Sequence, residues 1–394
     1  MLLRSNGTAV RFGCPDNLGL NIPLLPDGLT YTQVVAGSRH IVLLRSDGTV
    51  VAHGDNNRNQ CTIPALDHGV TYTRIATGCW NTVLLRSDGT AVSSEGESFQ
   101  LKESEFLPPV EVPWIPELGP GLSYIAAAAG NDHIVLLRSD GTAVSRGYTP
   151  PPMCSNLLDF MAQPIFASPA CDIPVLDEGL TYTQVSAGTY HTVLLKNNGT
   201  AVACGNNRFG QCDIPMLDGC LTYTQIAAGG YHTVLLKSNG TAVACGSNDV
   251  SQCDIPALVG GLTYAAILAG LDQTVLIKSN GDAVACGYNA EGECDIPLLV
   301  GGLTYTASLT EVLILQATYM ASLTEMCFLT FSGDERCRIA AGPTSRLKDV
   351  YMMLLVSHRA GRLGPVVSRI DALLPSGKRL SEVSSEETVG SAFS

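Results

Sequence analysis

The sequence predicts an all-β fold, a seven-bladed β-propeller closed by N- and C-terminal strands, followed by a small α+β unit. Three recurring landmarks predict it. A tyrosine, usually within Gly-Leu-Thr-Tyr, stands at Tyr31, Tyr72, Tyr124, Tyr182, Tyr223, Tyr264 and Tyr305. An Asn/Asp-Gly pair stands at 6–7, 47–48, 88–89, 140–141, 198–199, 239–240 and 280–281, and an Ile-Pro pair at 22–23, 63–64, 115–116, 173–174, 214–215, 255–256 and 296–297. The tyrosine spacings are 41, 52, 58, 41, 41 and 41 residues, and the Ile-Pro pairs repeat that series. Seven copies at a fixed period are the mark of a repeat architecture.

Each copy reads as β structure. In the copy from Leu221 to Gly261, Thr222–Ala227 is a strand, Ala228-Gly229 a tight break, and His232–Lys237 a second strand. Asn239-Gly240 matches a two-residue hairpin turn requiring positive φ, and Thr241–Cys245 returns. The remainder, to Pro256, reads as a loop with room for one edge strand, because proline cannot donate within a ladder. Short strands repeated in this way form propeller blades, whereas a β-solenoid would use shorter coils and leave its ends exposed. The chain starts partway through a copy, at Leu2–Val10, and reaches its last Gly-Leu-Thr-Tyr at 302–305. The two partial copies complement one another, so a strand near Thr304–Leu309 is expected to join the N-terminal hairpin, with Val312–Gln316 as its competitor.

Composition excludes several classes of function. Of 394 residues only 15% are charged, against about 25% in an average globular protein. Lys and Arg number 23 against 36 Asp and Glu, so there is no basic excess for binding a phosphate backbone and nucleic acid is an unfavourable partner. No apolar run approaches the roughly 18 residues that span a bilayer. Met1–Gly7 lacks the apolar core of a signal peptide. A soluble, intracellular protein, cytoplasmic or nuclear, is expected. In that setting its 14 cysteines are expected to be free thiols.

The segment Ala228–Gly240, with Gly-Gly-Tyr-His-Thr-Val-Leu-Leu-Lys-Ser-Asn-Gly at its heart, resembles the regulator-of-chromosome-condensation repeat. So does Gly205-Asn206-Asn207-Arg208-Phe209-Gly210-Gln211, and the resemblance recurs through residues 1–309. Two departures stand out. The family repeat is usually longer, and a tryptophan normally precedes the glycine where this chain has Cys204, Cys245 and Cys286. The short period is more similar to the compact propellers typified by a bacterial β-lactamase inhibitor of the superfamily. The resemblance implies a seven-bladed propeller and a choice of roles: nucleotide exchange on a small GTPase, chromatin docking, substrate recognition in HERC-type ubiquitin ligases, photoreception or inhibition. Fold alone does not choose among them.

His40, His133, His191 and His232 share one repeat slot, which Asn81 and Gln273 fill in other copies. A metal or acid–base role would not accept an amide, so the slot is read as satisfying buried backbone groups. Cys204/Cys212, Cys245/Cys253 and Cys286/Cys294 recur eight apart, with His53/Cys61 in the same slots, and read as buried small apolar residues, with intra-blade disulfides as the alternative. The tyrosine slot reads as inter-blade packing with a hydroxyl that reaches a partner. There is no GxxxxGK[ST], GxSxG or HExxH motif, so no catalytic residue, metal or cofactor is expected.

The two long copies carry 11 and 17 additional residues, both after the third strand, within Ser93–Pro113 and Arg146–Ala170. They should decorate one face of the ring, as binding insertions in repeat proteins do. Phe99, Phe106 and Trp114 in or beside the first, and Tyr148, Met153, Phe160, Met161 and Phe166 in the second, are the candidate partner-binding residues. The alternative is that they pin long loops to the ring.

Beyond the propeller (1–309) and a linker (310–325), residues 326–380 read as a hairpin (326–331 and 335–341), a helix from Arg346 to about His358, and a strand within Ser368–Leu374. That order resembles a ubiquitin-like β-grasp domain, with 381–394 as a flexible tail. The expected function is a non-catalytic protein-interaction scaffold or adaptor, which the HERC-type resemblance would place in the ubiquitin pathway. A ligase of that type needs a large HECT domain, for which residues after 309 offer no room. The alternative is a guanine-nucleotide exchange factor for a small GTPase.

Overall fold

A computed structural model describes residues 1–13, 21–94, 98–101, 110–113, 115–131, 133–147, 172–299, 302–306, 312–320, 323–329, 335–340 and 371–373. Among them there is no helix, and seven three-stranded antiparallel sheets account for the seven repeats. The first blade is Tyr31–Ala36, His40–Arg45 and Val50–Gly54. The second is Tyr72–Thr77, Thr82–Arg86 and Ala91–Ser93, and the third Tyr124–Ala129, His133–Arg138 and Ala143–Gly147. Tyr182–Ala187, His191–Lys196 and Ala201–Gly205 form the fourth; Tyr223–Ala228, His232–Lys237 and Ala242–Gly246 form the fifth. Tyr264–Ala269, Gln273–Lys278 and Ala283–Gly287 form the sixth. In the closing blade Leu2–Arg4 lies between Ala9–Val10 and Tyr305–Thr306, with Leu3 opposite Thr306 and Arg4 opposite Tyr305. The two chain segments therefore share a blade as the repeat arithmetic requires.

The second strand of each blade is an unbroken apolar run because both of its faces are buried. Alternate residues point to opposite sides of a strand. Val42 and Leu44 of the first blade pack on Tyr72, Ile75 and Leu84 of the second, while Ile41 and Leu43 pack on Leu3 of the closing blade. Leu2 turns the other way, onto Val275 and Ile277 of the sixth blade. Each of the seven interfaces has its own apolar cluster, and together they close the circle. A fully buried Leu, Ile or Val contributes about 1.5–3 kcal/mol relative to exposure, so these runs are the main source of stability.

The three sequence landmarks meet at every interface. The tyrosine N–H of one blade donates to the turn-glycine carbonyl of the preceding blade, from Gly7 to Tyr31 through Gly281 to Tyr305, at 2.7–3.0 Å. The same tyrosine's hydroxyl donates to the carbonyl of the proline eight residues earlier, at 2.5–2.9 Å in all seven copies. Turn, tyrosine and Ile-Pro loop are thus one device that fastens each blade to the next. The expected hydroxyl partner of the tyrosine slot is the proline carbonyl.

The turn itself differs from the two-residue hairpin expected. Only its glycine has positive φ (77° at Gly240), whereas the type I′ turn needs two such residues. Gly240 N–H bonds to Lys237 O at 2.9 Å, and Asn239 Oδ1 accepts from the N–H and hydroxyl of Thr241 at 3.0 and 2.8 Å. A type I turn followed by a left-handed glycine results, favoured because the Asn or Asp side chain caps it. No fourth strand forms in any blade among the described residues: Ser247–Pro256 is turn and loop.

Val312–Met320 does not compete for the closing blade. It belongs to a four-stranded sheet in the order Glu335–Ala340, Leu323–Leu329, Val312–Met320, Asp371–Leu373. The expected 326–341 hairpin forms within that sheet, and Asp371–Leu373 runs parallel to Val312–Met320. The stretch 310–325, expected to be a linker, instead contributes one strand and starts another, as its apolar run Val312–Gln316 allows. The expected 346–358 helix and the 381–394 tail lie outside the described residues.

Removing one tyrosine hydroxyl tests the fastening device. Tyr223→Phe leaves the Pro215 carbonyl without its donor and should lower stability to urea by about 1 kcal/mol. Unchanged unfolding would mean that the tyrosines only fill space.

Candidate functional site

The histidine slot lies at the opposite end of the strands from the turns. His40 Nε2 is 3.0 Å from Thr82 Oγ1 of the next blade, and that hydroxyl donates to the Gln60 backbone carbonyl at 2.7 Å. The arrangement recurs as His191–Thr233–Gln211, with distances of 2.9 and 2.7 Å, and as His232–Thr274–Gln252, with 3.0 and 2.7 Å. His133 meets Thr192 at 3.0 Å. A hydroxyl has one proton and a carbonyl can only accept, so the histidine Nε2 must be the donor to threonine. Nε2 of His40, His191 and His232 therefore carries a proton. Burial, the largest influence in each case, lowers the pKa of His40, His133 and His232 to about 4 and that of His191 to about 3. Nδ1 of His191 and His232 has no hydrogen-bond partner, and a Cβ on Gly188 or Gly229 would lie 2.5 Å from it. The glycine preceding the slot is fixed by this crowding.

The amide exceptions follow from the neighbouring copy. The position after the slot is threonine in each blade that receives a histidine: Thr82, Thr192, Thr233 and Thr274. Asn81 instead faces the third blade, where Ile134 occupies that position, and the loop that would supply a glutamine carbonyl is the first insertion. Gln273 faces the closing blade, whose second strand begins at Leu2, past the position in question, and its own loop has Glu293 for the glutamine. Histidine and threonine vary together across these interfaces, while the glutamine does not always follow them, since His133 and Thr192 meet where the second insertion replaces its loop. They form a structural relay with no proton to exchange with a substrate.

First-strand glutamines bind successive blades along the inner wall. Gln225 Oε1 accepts from Ile267 N at 3.2 Å and its Nε2 donates to Ala265 O at 3.1 Å; Gln184 does the same to Ile226 and Thr224.

The cysteines are half-buried donors, not the buried apolar residues expected. Cys212, Cys253 and Cys294 Sγ donate to the carbonyls of Asn206, Ser247 and Tyr288 at 3.4, 3.2 and 3.4 Å. Cys245 and Cys286 point at the relay carbonyls of Gln211 and Gln252 at 3.8 Å. Loop carbonyls left over by the turns explain the preference for a thiol. Burial first, then nearby thiols and carboxylates, raise Cys245 to about 12 and Cys286 to about 11. The nine cysteines whose side chains are described are free, and no His, Cys, Asp or Glu group among the described residues could hold a metal.

What remains is surface. The loop after each third strand leaves beside its own blade's tip, as Asn206 N–H to Tyr190 O and Tyr288 N–H to Asp272 O show at 2.8 and 2.9 Å. It then passes over the next blade's tip: Phe209 stacks edge-on against Tyr231 at 5.3 Å, and Arg58 covers Trp80 at 5.2 Å. Both insertions replace this loop, so they arise on this same loop face. Phe99 lies in Ser98–Leu101, which pairs with Val110–Pro113. Its side chain, and Phe106, Trp114, Tyr148, Met153, Phe160, Met161 and Phe166, lie outside the described residues. The sequence reading passed over Phe209, Tyr231 and Trp80. Their signal was variability: the position before the slot is Arg39, Trp80, Tyr190, Tyr231 or Asp272 in copies otherwise alike.

The Regulator of chromosome condensation (RCC1) repeat family matches residues 31–60, 182–211 and 223–252. Each match runs from the slot tyrosine to the relay glutamine, in the three copies that contribute both histidine and glutamine. No curated protein matches the chain. Among solved structures, yeast RCC1 (Prp20) bound to Kap60 is 17% identical with a TM-score of 0.51, covering 67% of this chain and 72% of that one. Prp20p from Saccharomyces cerevisiae, also 17% identical at 0.51, covers 68% and 74%. Human WBSCR16 is 14% identical with a TM-score of 0.49, covering 66% and 77%. The chain has the β-propeller fold, and three of its seven repeats match the RCC1 repeat.

Two outcomes test the site. The histidines are depressed in the folded state, so their stabilisation is present above pH 6.5 and is lost as pH falls toward about 4. Stability should drop by roughly a few kcal/mol over that window, and His191→Gln should make the drop smaller by that residue's share; a flat wild-type profile would contradict neutral buried rings. In the native protein iodoacetamide should label exposed Cys220 well before Cys245. Equal labelling rates would show that Cys245 is not held as a thiol.

Proposed function

We infer that this chain is a non-catalytic protein-binding module whose working surface is the loop face. One observation carries the reading: the repeated polar residues are used within the ring, whereas the loop face holds the variable aromatic residues and both insertions. Exposed aromatic and aliphatic side chains among polar loops suit protein recognition. The fold supports it by analogy, since Prp20p is described by its binding properties to Gsp1p and histones, and yeast RCC1 by its complex with Kap60. Free thiols fit a reducing compartment, cytoplasmic or nuclear. A place in the ubiquitin pathway, with the tail as a β-grasp link, rests on the HERC-type resemblance.

The second reading, nucleotide exchange on a small GTPase, draws on the same likeness to yeast RCC1. Site-specific photocrosslinking distinguishes the surfaces. A benzophenone at Phe209 should give discrete protein adducts in a cell extract, and one at Met216, 90% exposed next to the Ile214-Pro215 pair, should not. Adducts only from Met216 would reverse the assignment. Faster release of labelled nucleotide from any member of a GTPase panel would replace the scaffold reading by the exchange-factor one.

A further inference from the structure

The loop face is not uniform around the ring. Among the described residues, its exposed large hydrophobic side chains are Phe209, Val250, Leu271 and Tyr288, from the fourth to the sixth blade. The first blade presents Arg39 and Arg58 at the corresponding places. Phe209 and Tyr231 form the centre of the apolar arc, with ring centroids 5.3 Å apart, and Tyr190 extends it at 6.0 Å from Tyr231. Arg208 already lies over the Phe209 ring at 5.8 Å, so this surface accepts a guanidinium. Leu271 is joined to the tip of the fifth blade by the Gly230 N–H to Leu271 O bond of 2.8 Å, and Tyr288 to Asp272 by the bond given above. The aromatic centre and the aliphatic edge are therefore continuous through backbone contacts.

Carboxylates border this arc. Asp249 lies beside Val250 and Glu291 three residues after Tyr288, both exposed, while half-buried Asp272 follows Leu271. Arg208 is the one cation of the fourth-to-sixth-blade loops and tips among the described residues. Resting on the reading of the loop face as a binding surface, we propose that the arc formed by Phe209, Tyr231, Leu271, Tyr288, Asp249 and Asp272 docks an arginine-bearing, aliphatic protein segment. A guanidinium is weakly hydrated, stacks on aromatic faces and pairs with carboxylates, whereas an acidic segment would face uncompensated like charge. Aliphatic side chains between the arginines would cover Leu271 and Val250.

The test uses the full chain and a fluorescein-labelled peptide alternating Arg-Gly-Leu, with an otherwise identical Glu-Gly-Leu peptide as control, read by anisotropy. The arginine peptide should bind with an affinity that falls as salt rises, and the glutamate peptide should not bind. Phe209→Ala combined with Tyr231→Ala should weaken binding about tenfold, as loss of an aromatic cation platform does. Because Tyr231 is half-buried, Leu271→Ser and Asp272→Asn serve as milder variants, each expected to weaken binding severalfold with the melting temperature retained. Asp177→Asn with Glu178→Gln, acidic residues at the other end of the blades, should leave binding within about twofold of wild type if attraction is local. Equal binding of the two peptides overturns the proposal. So does full binding by the arc variants, or a larger loss from the Asp177 and Glu178 pair. Loop-face crosslinks together with a failed arginine peptide would overturn this inference and leave the scaffold reading standing.

Discussion

A blade of three short strands cannot bury both of its faces alone, and the whole structure depends on fastening each blade to the next. Two devices do it, one at each end of the strands. At the turn end, a glycine carbonyl, a tyrosine and a proline carbonyl meet in all seven interfaces, including the two made by the closing blade. At the loop end, histidine reaches across to threonine, which reaches back to a loop carbonyl. The apolar second strand lies between them, buried on both sides. Because these polar contacts cross interfaces, they fix the order and rotation of blades that apolar packing alone would leave loosely specified.

The same economy underlies the proposal that function lies on the surface. A histidine that has given its one proton to a threonine, in a site where burial opposes a second, has no acid–base capacity left at neutral pH. The Cys212 thiol, which donates to the Asn206 carbonyl, is pushed up to about 11, chiefly by burial. Variation is concentrated at the tips and at the loop positions outside the glutamine and cysteine contacts, as Arg58 and Phe209 show. The third-to-fourth interface keeps His133 and Thr192 beside the second insertion, whereas the interface between the second and third blades lacks histidine, threonine and glutamine together, with the first insertion standing where the glutamine would be. Release from the relay and gain of an insertion coincide there.

Much of this was legible in the sequence because a repeat compares itself. Seven tyrosines, seven turns and seven Ile-Pro pairs fixed the blade count, and the complementary partial copies fixed the closure. The reading of the amide-tolerant slot as a partner for buried groups between blades is matched by the histidine–threonine contacts. What escaped notice lay between copies. Comparing His232 with His191 slot by slot says nothing of Thr274, 42 residues on, although histidine occurs only where the following copy has threonine. The turn was misjudged because Asn-Gly suits two geometries, and the threonine after it, which Asn239 caps, decides between them. The cysteines looked apolar because sequence does not reveal leftover carbonyls such as Asn206 O. Phe209 and Tyr231 were passed over in favour of longer, more conspicuous insertions.

The coupling between His232 and Thr274 puts the relay to the most direct test, using the chain's own alternative. His232→Asn and Thr274→Ile, separately and together, reproduce at the fifth-to-sixth interface the pairing that Asn81 and Ile134 make naturally. Urea unfolding of the four proteins gives the interaction energy. Each single change should cost about 1–3 kcal/mol, and the pair should recover at least about 1 kcal/mol of the sum, because the second change removes the group that the first left unpaired. Strictly additive losses would show that histidine and threonine are independent, and would contradict the claim that the interfaces consume the repeat's polar residues.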